Sequence, residues 1–221
     1  MAYEIQRLPA QLYLISPLET GGGFPDRLAR ALDAQSAEGC VSAFQFRIKG
    51  LDDHDAARLA EPLQRICFDR EVAFIVNDSI TLAKRLGADG VHLGQDDLAQ
   101  EDSSIADARE RLGKQAQIGV TCHASRDLAM EAGEGGADYV AFGAFFPTTT
   151  KLVEHHADPE VLRWWQQYFL LPCVAIGGIT PDNCRPLVEA GADFIAVSGA
   201  VWHGDEAAAV RAFEAALAGG K

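Results

Sequence analysis

Short apolar runs recur along the chain and are separated by stretches whose apolar residues have helical spacing. Eight of these runs have the length of a β-strand and are nearly continuously apolar, without regular alternation. They are Gln11–Ile15, Ala43–Arg47, Ala73–Val76, Gly90–Leu93, Gln117–Val120, Tyr139–Phe142, Cys173–Ile176 and Phe194–Val197. Such runs are typical of parallel strands that are covered on both faces.

Eight helical segments fill the intervals between the runs. They are predicted at Pro25–Glu38, Asp53–Asp69, Ser79–Leu86, Ser103–Leu112, Ser125–Glu134, Asp158–Phe169, Pro181–Ala190 and Asp205–Ala218. Eight strands alternating with eight helices in 221 residues favour an α/β fold, a single-domain (β/α)₈ TIM barrel over residues 1–221. A doubly wound open sheet is the alternative, but Gly21-Gly22-Gly23 lacks the spacing of a dinucleotide-binding loop.

Three of the predicted helix-to-strand connections share one motif. Gly-Ala-Asp occurs at residues 87–89, 136–138 and 191–193, each time just before a predicted strand. A short αβ turn with a left-handed glycine explains the repetition, which indicates repeated βα units and no particular chemistry.

Composition narrows the class of protein. The formal net charge of −13 argues against binding to nucleic acid or to an anionic membrane, while leaving an anionic small-molecule substrate open. The five widely spaced cysteines fit neither a disulfide framework nor a zinc pattern and suit a reducing compartment. No apolar run reaches membrane-spanning length, and the first ten residues lack the apolar core of a signal peptide. A cytoplasmic enzyme is therefore expected, and a homo-oligomer is left open.

Polar residues follow seven of the predicted strands, at the barrel end where catalytic groups gather in this fold. Asp78 and Asp97 come after neighbouring strands and offer the oxygen ligands that Mg²⁺ prefers. The alternative is that Asp78 only caps the next helix and that Asp97 lies in a solvated turn. Together with the basic groups, the two acids favour a magnesium site.

Cations and glycines at the same end indicate a phosphorylated ligand. Arg47 and Lys49 are two residues apart and are expected to face the same way, and Lys151 belongs to a long polar loop. Their charges suit a pyrophosphate, although Arg47 alone also fits a barrel-end salt bridge. Backbone amides of Gly178, Ser198 and Gly199 follow the last two strands, where this fold commonly binds phosphate, unless the glycines serve only a tight turn.

At these positions the chain resembles the thiamine-phosphate synthase family over about residues 11 to 201. The matching segments are Phe44-Gln45-Phe46-Arg47-Ile48-Lys49, Phe74-Ile75-Val76-Asn77-Asp78, Gly87 to Leu98, Ile118 to His123, Phe142 to Lys151 and Ala175 to Pro181. The resemblance implies a (β/α)₈ transferase. The nitrogen of a thiazole phosphate attacks the methylene carbon of hydroxymethylpyrimidine pyrophosphate, and pyrophosphate leaves.

The resemblance also implies a role for each matching residue. Gln45, Arg47, Lys49 and Asn77 would hold the pyrophosphate, and Asp78 and Asp97 would bind Mg²⁺. Thr121 would position the pyrimidine substrate, while Thr148, Thr150 and Lys151 would close over it. Gly178, Ser198 and Gly199 would bind the thiazole phosphate, and Arg47, Lys49 and Lys151 would assist the departing charge.

The chain departs from the family pattern at Ile48, where an acid usually stands between the arginine and the lysine. Its strand parity predicts that this side chain faces away from the lumen. Two other functions remain open: a thiazole tautomerase-like barrel, in which His123 would act as acid or base, and a non-catalytic regulator that binds thiazole phosphate. His92, on the fourth predicted strand, is assigned no role.

Overall fold

The structure is a computed structural model, and it describes residues 8–99, 103–147 and 157–218. Eight parallel strands close into a barrel in chain order, with β8 paired to β1. The strands are β1 Gln11–Ile15, β2 Val41–Phe46, β3 Ala73–Asn77, β4 Gly90–Leu93, β5 Gln117–His123, β6 Tyr139–Gly143, β7 Cys173–Ile176 and β8 Phe194–Val197. The predicted (β/α)₈ barrel is therefore confirmed.

Helices surround the barrel. They are α1 Phe24–Asp33, α2 Asp53–Phe68, α3 Ile80–Leu86, α4 Gln95–Leu98, α5 Ile105–Leu112, α6 Arg126–Glu134, α7 Glu160–Tyr168, α8 Arg185–Glu189, α9 Gly199–Trp202 and α10 Glu206–Ala218. The short helices α4 and α9 were not predicted, because one turn of helix is too brief to show a periodic apolar pattern. Neither interrupts the order of strands.

Strand parity divides the apolar residues between two clusters. The outward residues of each strand, such as Leu14, Phe44 and Val91, join a large outer cluster with the helices. The inward residues form a smaller cluster in the lumen, which includes Tyr13 and Tyr139. The helices therefore cover the outer face, and the lumen is filled by side chains of the strands themselves.

The repeated Gly-Ala-Asp turn has a structural explanation. The aspartate carboxylates of residues 89, 138 and 193 each accept a hydrogen bond from a backbone N–H near the start of the preceding strand, at Phe74, Ile118 and Cys173. The N···O distances are 2.7, 2.7 and 2.8 Å, respectively. Each turn thus joins two neighbouring strands at the amino end of the barrel.

One predicted helix start was wrong. The Thr180-Pro181 signal predicted a helix from Pro181, but α8 begins only at Arg185. The Asn183 side chain accepts a hydrogen bond from Thr180 N at 2.8 Å and donates to Gly178 O at 3.1 Å. These bonds hold the intervening residues in a turn, because an asparagine side chain competes with the backbone for helical hydrogen bonds.

Candidate active site

The carboxyl ends of β1, β2 and β8 are joined by the hydroxyl groups of two serines, Ser16 and Ser198. Ser16 Oγ donates to Arg47 O at 3.1 Å and accepts from Arg47 N at 2.9 Å. Ser198 Oγ in turn donates to Ser16 O at 3.4 Å. The structure therefore brings the predicted pyrophosphate residue Arg47 and the predicted phosphate residue Ser198 to the same rim, through a serine that the sequence did not single out.

The expectation that Arg47 and Lys49 face the same way rested on strand alternation, and this reason needs correction. Strand β2 ends at Phe46, so the alternation of strand side chains does not extend to Lys49, which is exposed. Arg47 is half-buried beside the end of the strand. Ile48 nevertheless packs against the outer hydrophobic cluster, on the side away from the lumen that was predicted for it. The isoleucine that replaces the usual acid therefore contacts the layer outside the lumen.

Asn77 and Asp78 lie where β3 reaches the rim. Asn77 is the last residue of the strand, and Asp78 follows it with a positive φ of 66°. Aspartate and asparagine tolerate this left-handed conformation better than most residues. The backbone N–H of Asp78 donates to His92 O at 2.8 Å, which ties the ends of β3 and β4 together. Ser79, rather than Asp78, caps α3 by accepting from Leu82 N at 3.0 Å.

Gly178 lies where the chain after β6 crosses the chain after β7. Its φ is +64°, and a Cβ at this position would overlap the carbonyl oxygens of Phe146 and Pro147. Phe146 N also donates to Gly177 O at 3.0 Å, so residues 145–147 lie directly against this turn. Glycine is therefore required here by close backbone approach, independently of any phosphate.

The two remaining residues predicted to bind phosphate begin a helix. Ser198 is the N-cap of α9, and Gly199 is its first residue. The side chain of His203 lies one turn further on, and its ring carbon Cε1 would be only 3.0 Å from a Cβ added to Gly199. The start of α9 is therefore crowded, and a ligand there would meet mainly backbone.

Residues predicted to act from the loop after β6 lie outside the described part of the chain. These are Thr148, Thr150 and Lys151. For Asp97 only the backbone is described, within α4 on the rim after β4. Their predicted roles stay predictions.

The lumen contains a polar group of side chains that sequence reasoning largely missed. Thr121 faces inward from β5, and its Oγ1 lies 2.8 Å from His92 Nε2. His92 Nδ1 lies 3.1 Å from Tyr139 Oη, which is 2.9 Å from Tyr13 Oη. Gln45 Nε2 donates to that same Tyr13 oxygen at 3.1 Å. The signal available in the sequence was polar or hydroxylated residues at inward positions of apolar strands.

Burial determines the protonation state of the two tyrosines. It raises the pKa of Tyr13 to about 12, although hydrogen bonds with Tyr139 and Gln45 act in the opposite direction. Burial also raises the pKa of Tyr139 well above its ordinary value, and the neighbouring Tyr13 reinforces this. Both groups therefore remain neutral O–H donors at neutral pH.

The oxygen donors at the rim fit a magnesium ion better than a softer metal. Within residues 8–99, 103–147 and 157–218, no three described His, Cys, Asp or Glu side chains are grouped as a metal site. Mg²⁺ commonly uses only one or two protein carboxylates and takes its other ligands from water and substrate phosphates. The magnesium site predicted at Asp78 and Asp97 stays a prediction.

The described cysteines take no part in this rim. Cys40, Cys67, Cys122, Cys173 and Cys184 are all buried, and none of them forms a disulfide bond within the described residues. Burial raises the pKa of the thiols of Cys40 and Cys122 to about 12, so neither is a reactive thiolate.

No helix in the described ranges is both long and apolar enough to span a bilayer.

Known proteins resemble this chain along nearly its whole length. A family model described as thiamine monophosphate synthase matches residues 12–201. A thiamine-phosphate synthase of Erythrobacter litoralis is 68% identical over 213 residues, which cover 96% of this chain and 97% of that protein. One from Rhodospirillum centenum is 50% identical over 212 residues, covering 95% and 98%.

A solved structure shares the fold at recognisable sequence similarity. The thiamine phosphate pyrophosphorylase from Pyrococcus furiosus superposes with a TM-score of 0.79 at 30% identity. The alignment covers 95% of this chain and 96% of that structure.

Proposed function

The chain belongs to the thiamine monophosphate synthase family and is a transferase, and on that premise we propose the reaction and the roles of its residues. The proposed reaction joins hydroxymethylpyrimidine pyrophosphate to thiazole phosphate, giving thiamine phosphate and pyrophosphate, with Mg²⁺ as cofactor. The thiazole nitrogen forms a bond to the methylene carbon of the pyrimidine as the bond from that carbon to the pyrophosphate oxygen breaks.

The observation that carries the proposal is the convergence of strand ends on one rim. The backbone N–H of Asp78 donates a hydrogen bond to His92 O at the end of β4. The backbone N–H of Arg47 donates one to Ser16 Oγ at the end of β1. Ser198 reaches the same serine from β8. Asp78, Arg47 and Ser198 are far apart in the sequence, but they lie at strand ends that meet at one rim, and this supports the proposal of a diphosphate substrate bound there.

The protein's part in catalysis is electrostatic and positional. The second substrate is itself the nucleophile, so no side chain needs to attack. Arg47, Lys49 and Lys151 would stabilise the charge that develops on the departing pyrophosphate, and Asn77 would donate hydrogen bonds to it. Mg²⁺ held by Asp78 and Asp97 would neutralise part of the same charge.

The two substrates require separate binding positions on the rim. Thr121 faces inward from β5 and would position the pyrimidine substrate, with Thr148 and Thr150 closing over it. Gln45 faces the same lumen from β2, so we propose that it contacts the pyrimidine ring and not the pyrophosphate that the resemblance implied. Gly178, Ser198 and Gly199 would hold the thiazole phosphate through backbone groups. Since Ile48 packs on the outer layer, its substitution for an acid does not remove a group from the lumen. Ile48 is the departure from the family pattern that would favour a non-catalytic regulator, and its position in the outer layer weakens that alternative.

The decisive experiment is a pyrophosphate-release assay with both substrates present. We expect release with Mg²⁺ and none after EDTA treatment, with activity restored by added Mg²⁺. Binding of thiazole phosphate without turnover would support a regulator instead. Proton transfer on the thiazole without pyrophosphate or metal would support the tautomerase.

A substitution at Asp78 tests the assigned rim. Asp78→Asn keeps a residue suited to positive φ while removing the charge, so turnover should fall about 100- to 1,000-fold with an unchanged melting temperature. Asp69→Asn is the matched control, because this exposed residue directly follows α2 at the opposite end of the barrel. Equal turnover in the two variants would remove Asp78 from the site. We expect the enzyme in the cytoplasm, in keeping with buried cysteines that form no disulfide bond within the described residues.

A further inference from the structure

Five side chains from five different strands form a continuous hydrogen-bonded chain through the lumen. It runs from Gln45 on β2 through Tyr13 on β1, Tyr139 on β6 and His92 on β4 to Thr121 on β5. Its four successive donor–acceptor distances are 3.1, 2.9, 3.1 and 2.8 Å. The first four residues are at most 8% exposed. A buried network of this kind is worth more than its separate bonds when every member is satisfied.

The hydrogen-bonded chain of these five side chains has a direction, because each hydroxyl has one hydrogen to donate. The amide nitrogen of Gln45 is a donor only, so Tyr13 Oη accepts from it. Tyr139 Oη is the one acceptor among the described residues within reach of the Tyr13 hydroxyl, so the Tyr13 hydrogen is donated there. Tyr139 then donates to His92 Nδ1. A neutral His92 consequently carries its hydrogen on Nε2, which donates to Thr121 Oγ1.

The two ends of the chain are left with opposite hydrogen-bonding capacity. Among the described residues no donor reaches the amide oxygen of Gln45, which remains an acceptor. Thr121 Oγ1 accepts from His92 and so keeps its own hydrogen for donation. Strand register places Tyr13 level with Ala43, two residues before Gln45, and Tyr139 level with Gly119, two residues before Thr121. The tyrosines therefore lie one layer deeper than the two ends, which face the carboxyl rim.

We infer that Tyr13, Tyr139 and His92 are positioning residues that set Gln45 as acceptor and Thr121 as donor, and thereby select an aminopyrimidine. The exocyclic amino group of such a ring donates to the Gln45 oxygen, and a ring nitrogen accepts from the Thr121 hydroxyl. An oxopyrimidine presents the reverse pattern, a carbonyl acceptor and a ring N–H. The identity of the substrate in this inference rests on the proposed function. The direction of the hydrogen-bonded chain is independent of that function.

A glycine in the barrel wall leaves room for one member of this hydrogen-bonded chain, the ring of Tyr139. A Cβ at Gly119 would overlap the ring of Tyr139, so glycine at this inward position admits the tyrosine. The Tyr139 ring also stacks on that of His92, with 5.6 Å between centroids and 26° between planes. These contacts hold the hydroxyl and the imidazole in register independently of any ligand.

The sharpest test reverses the direction of the chain. In Gln45→Glu the ionised carboxylate has no hydrogen to donate, so Tyr13 must donate to it and every later bond turns round. The ¹⁵N NMR spectrum of the full-length, ligand-free protein should then show His92 changing from the Nε2–H to the Nδ1–H tautomer. Gln115→Glu adds the same charge at an exposed residue just before β5 and should leave the tautomer unchanged.

This measurement separates the inference from the proposed function. Wild-type protein with hydrogen on His92 Nδ1, or a Gln45→Glu variant that keeps Nε2–H, would overturn the inference even if synthase activity is normal. A tautomer that switches in a protein without pyrophosphate release would uphold the chain and contradict the proposed function.

A second test measures selection of the ring. Tyr139→Phe removes one hydroxyl, so the preference in kcat/KM for aminopyrimidine over oxopyrimidine pyrophosphate should fall about tenfold, through the KM of the pyrimidine substrate. The KM of thiazole phosphate should stay the same. Tyr168→Phe is the control, because Tyr168 is 62% exposed on α7. An unchanged preference in a folded Tyr139→Phe variant would refute the positioning role.

Discussion

The lumen of this barrel and the layer outside it are stabilised by different interactions. Outside, the strands meet the helices through apolar side chains, many of them completely buried. Inside, a smaller apolar cluster surrounds a chain of hydrogen-bonded polar groups that leads to the rim. The outer layer depends on volume and apolar area, whereas the lumen depends on where individual hydrogen atoms lie.

This difference teaches which substitutions should affect stability and which should affect catalysis. Removing volume from the outer layer leaves a cavity and lowers the free energy of unfolding. Removing one oxygen from the lumen changes little volume but alters how the remaining polar groups are oriented. Stability and substrate selection are therefore expected to separate by layer.

The largest effect on stability is expected in the outer layer. Phe213 on α10 is fully buried, so Phe213→Ala should reduce the free energy of unfolding by about 3–5 kcal/mol. Urea denaturation measures this loss, and kcat per folded molecule should stay near the wild-type value. Phe68→Ala is the matched control, because Phe68 is 73% exposed and its removal should change stability by less than about 1 kcal/mol. A Phe213→Ala variant with normal stability and poor turnover would break the separation.

A smaller loss of stability is expected from Gly119→Ala, which should affect both the free energy of unfolding and the binding of the pyrimidine substrate. Gly119→Ala places a methyl group against the ring of Tyr139, and this overpacking should reduce the free energy of unfolding by about 1–3 kcal/mol, measured by urea denaturation. It should also raise the KM of the pyrimidine substrate, since Tyr139 must move.

Gly133→Ala provides the control for that change. Gly133 lies in α6, and a Cβ added there would meet its nearest neighbour, Leu171, at an ordinary 3.5 Å. Because alanine favours helix more than glycine, this variant should gain up to about 1 kcal/mol. Equal stability changes in the two variants would show that the lumen has room for a methyl group at residue 119.

The smallest effect concerns an ion pair at the edge of the outer layer. Burial opposes ionisation of Glu206, but hydrogen bonds from Arg27, from its own backbone and from Arg30 bring its pKa below the ordinary value. Its contribution is therefore present above the ordinary carboxyl pKa and is lost as the pH falls through the lowered one. Glu206→Gln should cost about 1 kcal/mol at pH 7.

The pH dependence of this variant supplies its test. In urea denaturation, the difference between Glu206→Gln and wild type should shrink as the pH is lowered below the ordinary carboxyl pKa. Glu110→Gln, at an exposed position on α5, should show almost no difference at either pH. A difference that grows on acidification would contradict the lowered pKa of Glu206.

The strands and longer helices were predictable because their patterns are repetitive and local. Continuous apolar runs identified all eight strands, and their ends differed from the structure by no more than three residues. The turn before α8 was mistaken for helix because Asn183 forms its bonds to Thr180 and Gly178 only once the chain is folded. Asp78 and Arg47 were chosen as candidate site residues because charged residues directly after buried strands are conspicuous, and their roles stay predictions.

The lumen chain was not predictable, because its members differ in type and come from five separate strands. Nothing in the sequence near His92 indicates that a tyrosine 47 residues later will face it. The role of Ser16, which joins Arg47 and Ser198, was hidden for the same reason.

By itself the sequence determined the order of strands and helices, the barrel and the rim at which its charged residues gather. These follow from periodic burial and from the rule that parallel strands end at one edge. Only the tertiary structure decided that Gln45, Tyr13, Tyr139, His92 and Thr121 share one directed chain of hydrogen bonds. Hydrogen-bond direction depends on distances of about 3 Å between atoms, and closure of the barrel is what brings those atoms together.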